Sequence, residues 1–305
     1  MSQEGEGTRT MPRKCLITGA SGLIGRQVVS NLRETWTVLA LTRKTEMNWV
    51  GRLDTIPCDL AQGWTTDILP DRVDAVIHLA QSQRYREFPA AAEDIFQVNV
   101  TSTHRLLDYA HRARAKTFVF ASSGGVYGHG GQPFTEEGAV SVQGDIGFYL
   151  GTKLCSEILA DNYTALMHVI ILRFFFVYGP GQKEDRLIPR FFNSVREGRP
   201  IILHGEEGIR INPTFVTDAA SAVCRSLELK ASHKINVGGP EVLSLRQIGQ
   251  AMGEVLGKAP VFEVQKDSEP QHLVGDIKKM VQLLGPPVVK FREGISRCIE
   301  GRDHG

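Results

Sequence analysis

Short apolar runs alternate along this chain with longer amphipathic stretches. The runs are CLIT (15–18), TVLALT (37–42), DTIPCDL (54–60), DAVIHLA (74–80), KTFVFASS (116–123) and HVIILRFFFVYG (168–179). Between them lie segments such as IFQVNVTSTHRLLDYAHRA (95–113), whose apolar positions recur at helical spacing. Runs without a polar alternate position suit strands buried on both faces, which is the condition of a parallel sheet between helical layers. Strand and helix in alternation predict an α/β fold with a doubly wound parallel sheet over residues 13–178.

Beyond YGPGQ (178–182) the alternation loosens. LIPRFFNSVREGRPI predicts a helix, ILHGEEGIRINPTFVTDAASAVCRSLE a loop, short strand and helix, and KINVGGPEVLSLRQIGQAMGEVLG a further strand and helix. Residues 179–299 are therefore expected to form a smaller portion, partly interleaved with the first, that supplies a substrate pocket. MSQEGEGTRTMPRK is polar and glycine-rich, so residues 1–12 are expected to be a disordered tail, and 300–305 a frayed one.

In a sheet of this kind the chemistry sits beyond the carboxyl ends of the strands. The first run enters TGASGLIG, with Gly19, Gly22 and Gly25 before a helical stretch. Strand, glycine turn and helix suit a pyrophosphate: the glycines allow a tight turn, close backbone approach and close helix packing, and the helix N-terminus faces the anion. The spacing is GxxGxxG, and glycines in such turns also serve backbone geometry alone. The second run ends at Thr42, Arg43 and Lys44, where an acid would bind the ribose hydroxyls of NAD and an arginine a 2′-phosphate. This favours NADP slightly over NAD. Asp59, Ala80, Gln81, Ser122 and Ser123 end other strands, although turn chemistry and helix capping explain any one of them.

One stretch carries proton chemistry. In FYLGTKLCSE, Tyr149 and Lys153 are four apart, so on a helix they stack on one face. An ammonium beside a phenol favours the phenolate and makes the tyrosine a usable acid or base. Such a pair also arises by chance on helix surfaces.

Composition narrows the partners. Lys plus Arg number 35 against 34 for Asp plus Glu, a net charge of +1 that implies neither nucleic acid nor membrane. The five cysteines are scattered and form no metal or disulfide pattern, which suits a reducing cytoplasm and no metal.

Taken in order, TGASGLIG, IHLAQ, VNVTST, FASSGGVYG, YLGTK, LRFFFVYGPGQ and INVGGPEVLSL resemble the extended short-chain dehydrogenase/reductases, the group of nucleotide-sugar epimerases, dehydratases and ketoreductases. The resemblance runs from Lys14 to about Ile299 and implies a Rossmann sheet with a smaller C-terminal substrate-binding portion. It implies Tyr149 as catalytic acid/base, Lys153 on the nicotinamide ribose lowering the tyrosine's pKa, and Ser123 hydrogen-bonded to the reacting sugar oxygen. It places Gly19, Gly22, Leu23, Ile24 and Gly25 at the cofactor, with Thr42, Arg43, Asp59, Leu60, Leu79, Ala80, Gln81, Asn99 and Ser122. Phe175 is expected to flank the nicotinamide, and Phe176, Arg186 and Arg210 to meet the substrate. A homodimer through the two helices after VNVTST and at YLGTK is implied, with Leu106, Tyr109, Leu154 and Ile158 outward.

Two departures shape the expected reaction. Dehydratases of the group usually carry Asp and Glu after the catalytic Ser/Thr; here stand Gly124 and Gly125, which leaves no acid for a 4,6-elimination. Where UDP-sugar epimerases generally carry asparagine, this chain has Phe176, which cannot donate to a diphosphate. The expected activity is NAD(P)-dependent hydride transfer at hexose C4 of a nucleotide sugar, by an epimerase or a ketoreductase. An NADPH-dependent reductase of a non-sugar ketone is the alternative, and a non-catalytic NADP sensor a more distant one.

Overall fold

The computed structural model describes residues 13–43, 53–140, 142, 146–266 and 272–303. Lys44 and the expected tail 1–12 lie outside these residues.

The first half winds as its apolar pattern dictates. Strands β1 (Arg13–Thr18), β2 (Trp36–Thr42), β3 (Asp54–Pro57), β4 (Ala75–His78), β5 (Thr117–Ser123) and β6 (His168–Phe174) alternate with helices α1 (Leu23–Leu32), α2 (Ala92–Phe96), α3 (Ser102–Arg112) and α4 (Gly147–Asp161). They form a seven-stranded sheet whose last member, β11 (His233–Val237), comes from the second half of the chain; the order is β11-β6-β5-β4-β1-β2-β3 and every pairing is parallel. The period of two sends Cys15 and Ile17 into one helical layer and Leu16 into the other. Helices α1, α6 (Val216–Ser226) and α8 (Lys278–Leu284) cover the first face, and α3 and α4 the second. Each large side chain so buried stabilises the fold by roughly 1.5–3 kcal/mol.

Three short strand pairs build the remainder. They are β7 (Val177–Tyr178) with β10 (Thr214–Phe215), β8 (Ile201–His204) with β13 (Phe262–Gln265), and β9 (Arg210–Ile211) with β12 (Leu243–Ser244). Around them pack α5 (Leu187–Glu197), α7 (Leu245–Leu256) and α9 (Phe291–Asp303) over a core that includes Tyr178, Phe191, Ile248 and Phe291. Helix α7 starts on a capping box: Ser244 Oγ accepts from the Gln247 N–H at 3.1 Å, and Gln247 Oε1 accepts from the Ser244 N–H at 2.9 Å. Helix α9 continues to Asp303, past the boundary at 299 expected from the sequence.

Two stretches differ from their periodicity. The helix expected over 95–113 is split by a π turn, Gln97–Thr101, between α2 and α3. The apolar run 168–179 does not continue as one strand. It leaves the sheet after Phe174, Phe175 is buried below, and Phe176 adopts a left-handed φ of 42° before β7 pairs with β10. Of the four residues expected to face a partner subunit, Leu106 and Tyr109 lie instead in the core between α3 and the sheet, and the Tyr109 hydroxyl donates to Pro70 O at 2.8 Å. Leu154 packs against the Val126 and Tyr127 cluster, while Ile158 is 57% exposed.

Candidate active site

At the carboxyl ends of β1, β2 and β4 a cleft of ≈340 Å³ opens, lined by Gly19, Gly22, Thr42, Arg43, Asp59, Leu60, Leu79, Ala80 and Gln81, among others. Its floor has no room for side chains. Gly19 has φ +70°, and a β-carbon there would lie 2.7 Å from the Ala80 nitrogen; one on Gly25 would overlap the Gly19 carbonyl oxygen. Gly22 closes the turn by donating its N–H to Gly19 O at 2.9 Å, and as N-cap of α1 it brings no side-chain cap. The first-turn N–H groups of α1 therefore remain for an anion, so the cradle fits the pyrophosphate of a dinucleotide. Asp59 Oδ1 accepts from the Ala61 N–H at 3.1 Å, and Arg43 is exposed at the wall where an adenosine ribose would lie. The side chains of Leu23 and Ile24 pack against the core, which leaves their backbone N–H groups as what they present to the cradle.

Below this floor, His78 fixes the end of β4. Its two ring nitrogens lie 2.7 Å from Thr18 Oγ1 and 3.0 Å from Thr103 Oγ1, and burial pulls its pKa down to about 3. Asn99, 1% exposed in the π turn, accepts from the Ser82 N–H at 3.0 Å and donates to Thr152 Oγ1 at 2.9 Å. It ties the loop after β4 to α4.

Helix α4 carries Tyr149 and Lys153 on one face, as their spacing requires. Lys153 is 2% exposed; its ammonium donates to Ala121 O at 2.8 Å, and lies 6.0 Å from the centre of the Tyr149 ring. Burial pulls the Lys153 ammonium down to about 7, against the opposite pull of Glu157 one turn on. The phenol of Tyr149 donates to Gln81 Oε1 at 2.7 Å, and burial pushes its pKa up. In this structure one N–H of the ammonium is engaged by the β5 carbonyl, and burial is the largest influence on the phenol. Ser123, half-buried at the end of β5, accepts the Gly125 N–H on its Oγ at 3.2 Å and so caps the turn that follows.

Other expected residues lie elsewhere. Ser122 is buried with its hydroxyl on Glu157, whose carboxylate also accepts from Arg173 Nη2 at 2.6 Å, so its side chain is engaged in the scaffold below the cleft. Phe175 is 1% exposed, its ring sandwiched between Gly124 and Gly275, so it offers no open face to a nicotinamide. Its neighbour Phe174, half-buried at the strand end, is the more open ring. Arg210 is exposed on β9, with its backbone N–H donated to His272 Nδ1 at 3.0 Å.

The side of the cleft toward α5 holds a contact that motif reading missed. The Tyr85 ring packs 4.6 Å from the Tyr149 ring, and the Arg186 guanidinium sits 4.7 Å over Tyr85. Arg186 Nη1 is buried without a hydrogen-bond partner. Arg86 reaches across to Asp185 at 3.3 Å and binds the two segments together. No spacing rule links positions 85, 149 and 186; Glu157, four residues on from Lys153 and acting on its ammonium by charge, was findable from helical spacing.

Comparison with known proteins agrees with this geometry. The family model described as "NAD dependent epimerase/dehydratase family" matches residues 15–238. A UDP-glucuronate 4-epimerase of Thermodesulfobacterium geofontis is 28% identical, over 93% of this chain and 94% of that protein. A human dTDP-D-glucose 4,6-dehydratase is 23% identical, over 94% and 89%. Among solved structures, MoeE5 in complex with UDP-glucuronic acid and NAD superposes with a TM-score of 0.81 at 28% identity, covering 95% of this chain and 99% of that one. The matched span runs from β1 to the end of β11 and takes in the glycine turn, Ser123, Tyr149 and Lys153: this chain belongs to the NAD dependent epimerase/dehydratase family.

Proposed function

We propose that this protein is a nucleotide-sugar 4-epimerase that holds NAD between the glycine turn and Arg43 and inverts C4 of a hexose carrying an acidic group. The observation that carries the reading is the placement of Tyr149 and Lys153 on one face of α4 against the end of β5, which bears Ser123. A bound nicotinamide supplies the hydride acceptor and donor. The protein moves the proton: Tyr149 first releases its phenolic proton to solvent, with the Lys153 ammonium favouring the phenolate, then exchanges its Gln81 partner for the C4 hydroxyl, takes that proton as hydride leaves, and returns it after the ring has turned. Ser123 donates to the developing alkoxide, and loss of one such donor costs roughly a hundredfold in rate. Lys153 uses one N–H on Ala121 O, and the reading gives another of its N–H groups to the nicotinamide ribose. Gly124 and Gly125 provide no carboxylate, which supports hydride transfer without elimination.

The acidic substrate is supported by Arg186, whose buried unpartnered nitrogen stands beside the Tyr85–Tyr149 pair, and by the UDP-glucuronic acid bound in MoeE5. A homodimer through the α4 face carrying exposed Ile158 is part of the proposal. The test is to incubate the purified protein with UDP-glucuronate and follow C4 inversion by NMR, with bound cofactor released and identified afterwards. Inversion without net change of cofactor supports the epimerase. A second reading, an NADPH-dependent ketoreductase, is favoured by Arg43 alone. Stoichiometric NADPH consumption on a 4-keto sugar, without inversion, would establish it and sink the epimerase.

A further inference from the structure

The sheet has a second end. Around the amino ends of β1, β5 and β6, on the side away from the glycine turn, lies a cleft of ≈690 Å³ lined in part by Arg13, Trp36, Arg114, Lys116, Met167 and Lys230. Its floor is apolar, with Trp36, Met167 and Leu227 buried, and its rim is cationic. Of the carboxylates nearby, Glu228 pairs with Arg13 at 3.1 Å, and Asp74, in the cleft wall, accepts the Lys14 backbone N–H at 2.8 Å, a neutral donor that leaves its charge in place, against which the cations outnumber it. Arg114, Lys116 and Lys230 have no acidic partner among the described residues.

Arg114 is the telling member. It ends α3 in the left-handed region, φ 58°, and the turn closes with its N–H on His111 O at 3.1 Å and the Ala115 N–H on Ala110 O at 2.9 Å. Glycine or asparagine is the ordinary occupant of that position, since a β-carbon there costs roughly 1 kcal/mol. An arginine in a place that favours glycine gains nothing for the turn; it brings a guanidinium to the rim.

The geometry points to a second ligand site here, for an oligophosphate anion. Three unpaired cations recognise successive phosphates by charge-assisted hydrogen bonds, and the apolar floor accepts a flat organic group. The volume falls in the range of small-molecule sites, and a net charge of +1 argues against an extended polyanion. The site stands apart from the catalytic reading, because the cofactor cleft occupies the opposite strand ends.

Calorimetric titration of the full chain, preloaded with NAD at low ionic strength, with inorganic triphosphate and separately with ATP tests the assignment. One saturable site is expected, weakened about tenfold or more by Arg114→Gly and by Lys116→Ala. Arg114→Gly should keep or raise the melting temperature, since glycine suits the left-handed turn, so lost binding cannot be read as lost folding. Equal affinity for the two probes assigns the site to the phosphate chain; tighter ATP adds the floor. Absence of heat with both probes overturns the proposal. So does binding that survives Arg114→Gly and Lys116→Ala but disappears in Arg186→Ala, which would put the anion in the catalytic cleft.

Discussion

On the proposed reading the cleft has a nucleotide end and a sugar end, and the two are built from different materials. The nucleotide end is backbone: a turn of glycines where β-carbons do not fit, a helix N-terminus without a side-chain cap, and a buried neutral histidine bracing the strand beside it. The sugar end is side chain: Tyr149 from α4, Tyr85 from the loop after β4 and Arg186 from the approach to α5. Backbone recognition suits a ligand common to many reactions, since little in it can be altered without breaking the turn. Side chains from three distant segments can be exchanged one at a time, so the difference between relatives should concentrate there.

That contrast can be broken by experiment, and the largest expected effect is at Tyr149. Tyr149→Phe should lower kcat at least ~100-fold and leave cofactor binding intact, measured by turnover and by NAD titration. An unchanged kcat would remove Tyr149 from the proton path. Next comes Gly19→Ala, which places a methyl 2.7 Å from the Ala80 nitrogen on a backbone with φ +70°. It should destabilise the fold by about 1–2 kcal/mol and weaken NAD binding more than substrate binding, read by denaturant melts and calorimetry. Arg186→Ala should do the reverse, raising KM about tenfold for an acidic sugar nucleotide with little change in NAD affinity. Equal losses of both ligands would erase the distinction between the two ends.

At neutral pH the smallest effect is at the brace, where the change appears only in acid. His78 has its pKa held down at about 3 against an ordinary 6.5, so an unfolded chain takes up that proton first. Its contribution to stability is complete above about pH 6.5 and is lost as pH falls toward 3. His78→Asn should flatten that part of the stability profile in acid melts while leaving the neutral-pH activity of the sugar end in place.

Legibility in the sequence followed the same division. The strands, the glycine turn and the Tyr149–Lys153 face were readable because each rests on local periodicity or spacing. The break after Phe174 was not, since it depends on β10 arriving from forty residues later to pair with β7. Phe175 and Ser122 were placed at the cofactor by their neighbours in the motif, yet tertiary packing turned both inward. Tyr85 was missed because nothing at positions 84–86 announces that the ring will meet α4.

The Phe175 ring between Gly124 and Gly275 also constrains the ways this chain could change. A β-carbon at position 124 would lie 2.5 Å from Phe175 Cε1, so a carboxylate introduced there meets a filled space. Seating an acid at 124 would therefore take two replacements, a smaller residue at 175 first and the acid second. The first step alone opens a hole in the core, at roughly 3–5 kcal/mol for a phenylalanine cut to alanine. The smallness of residue 124 is thus tied to the stability of the core beneath it.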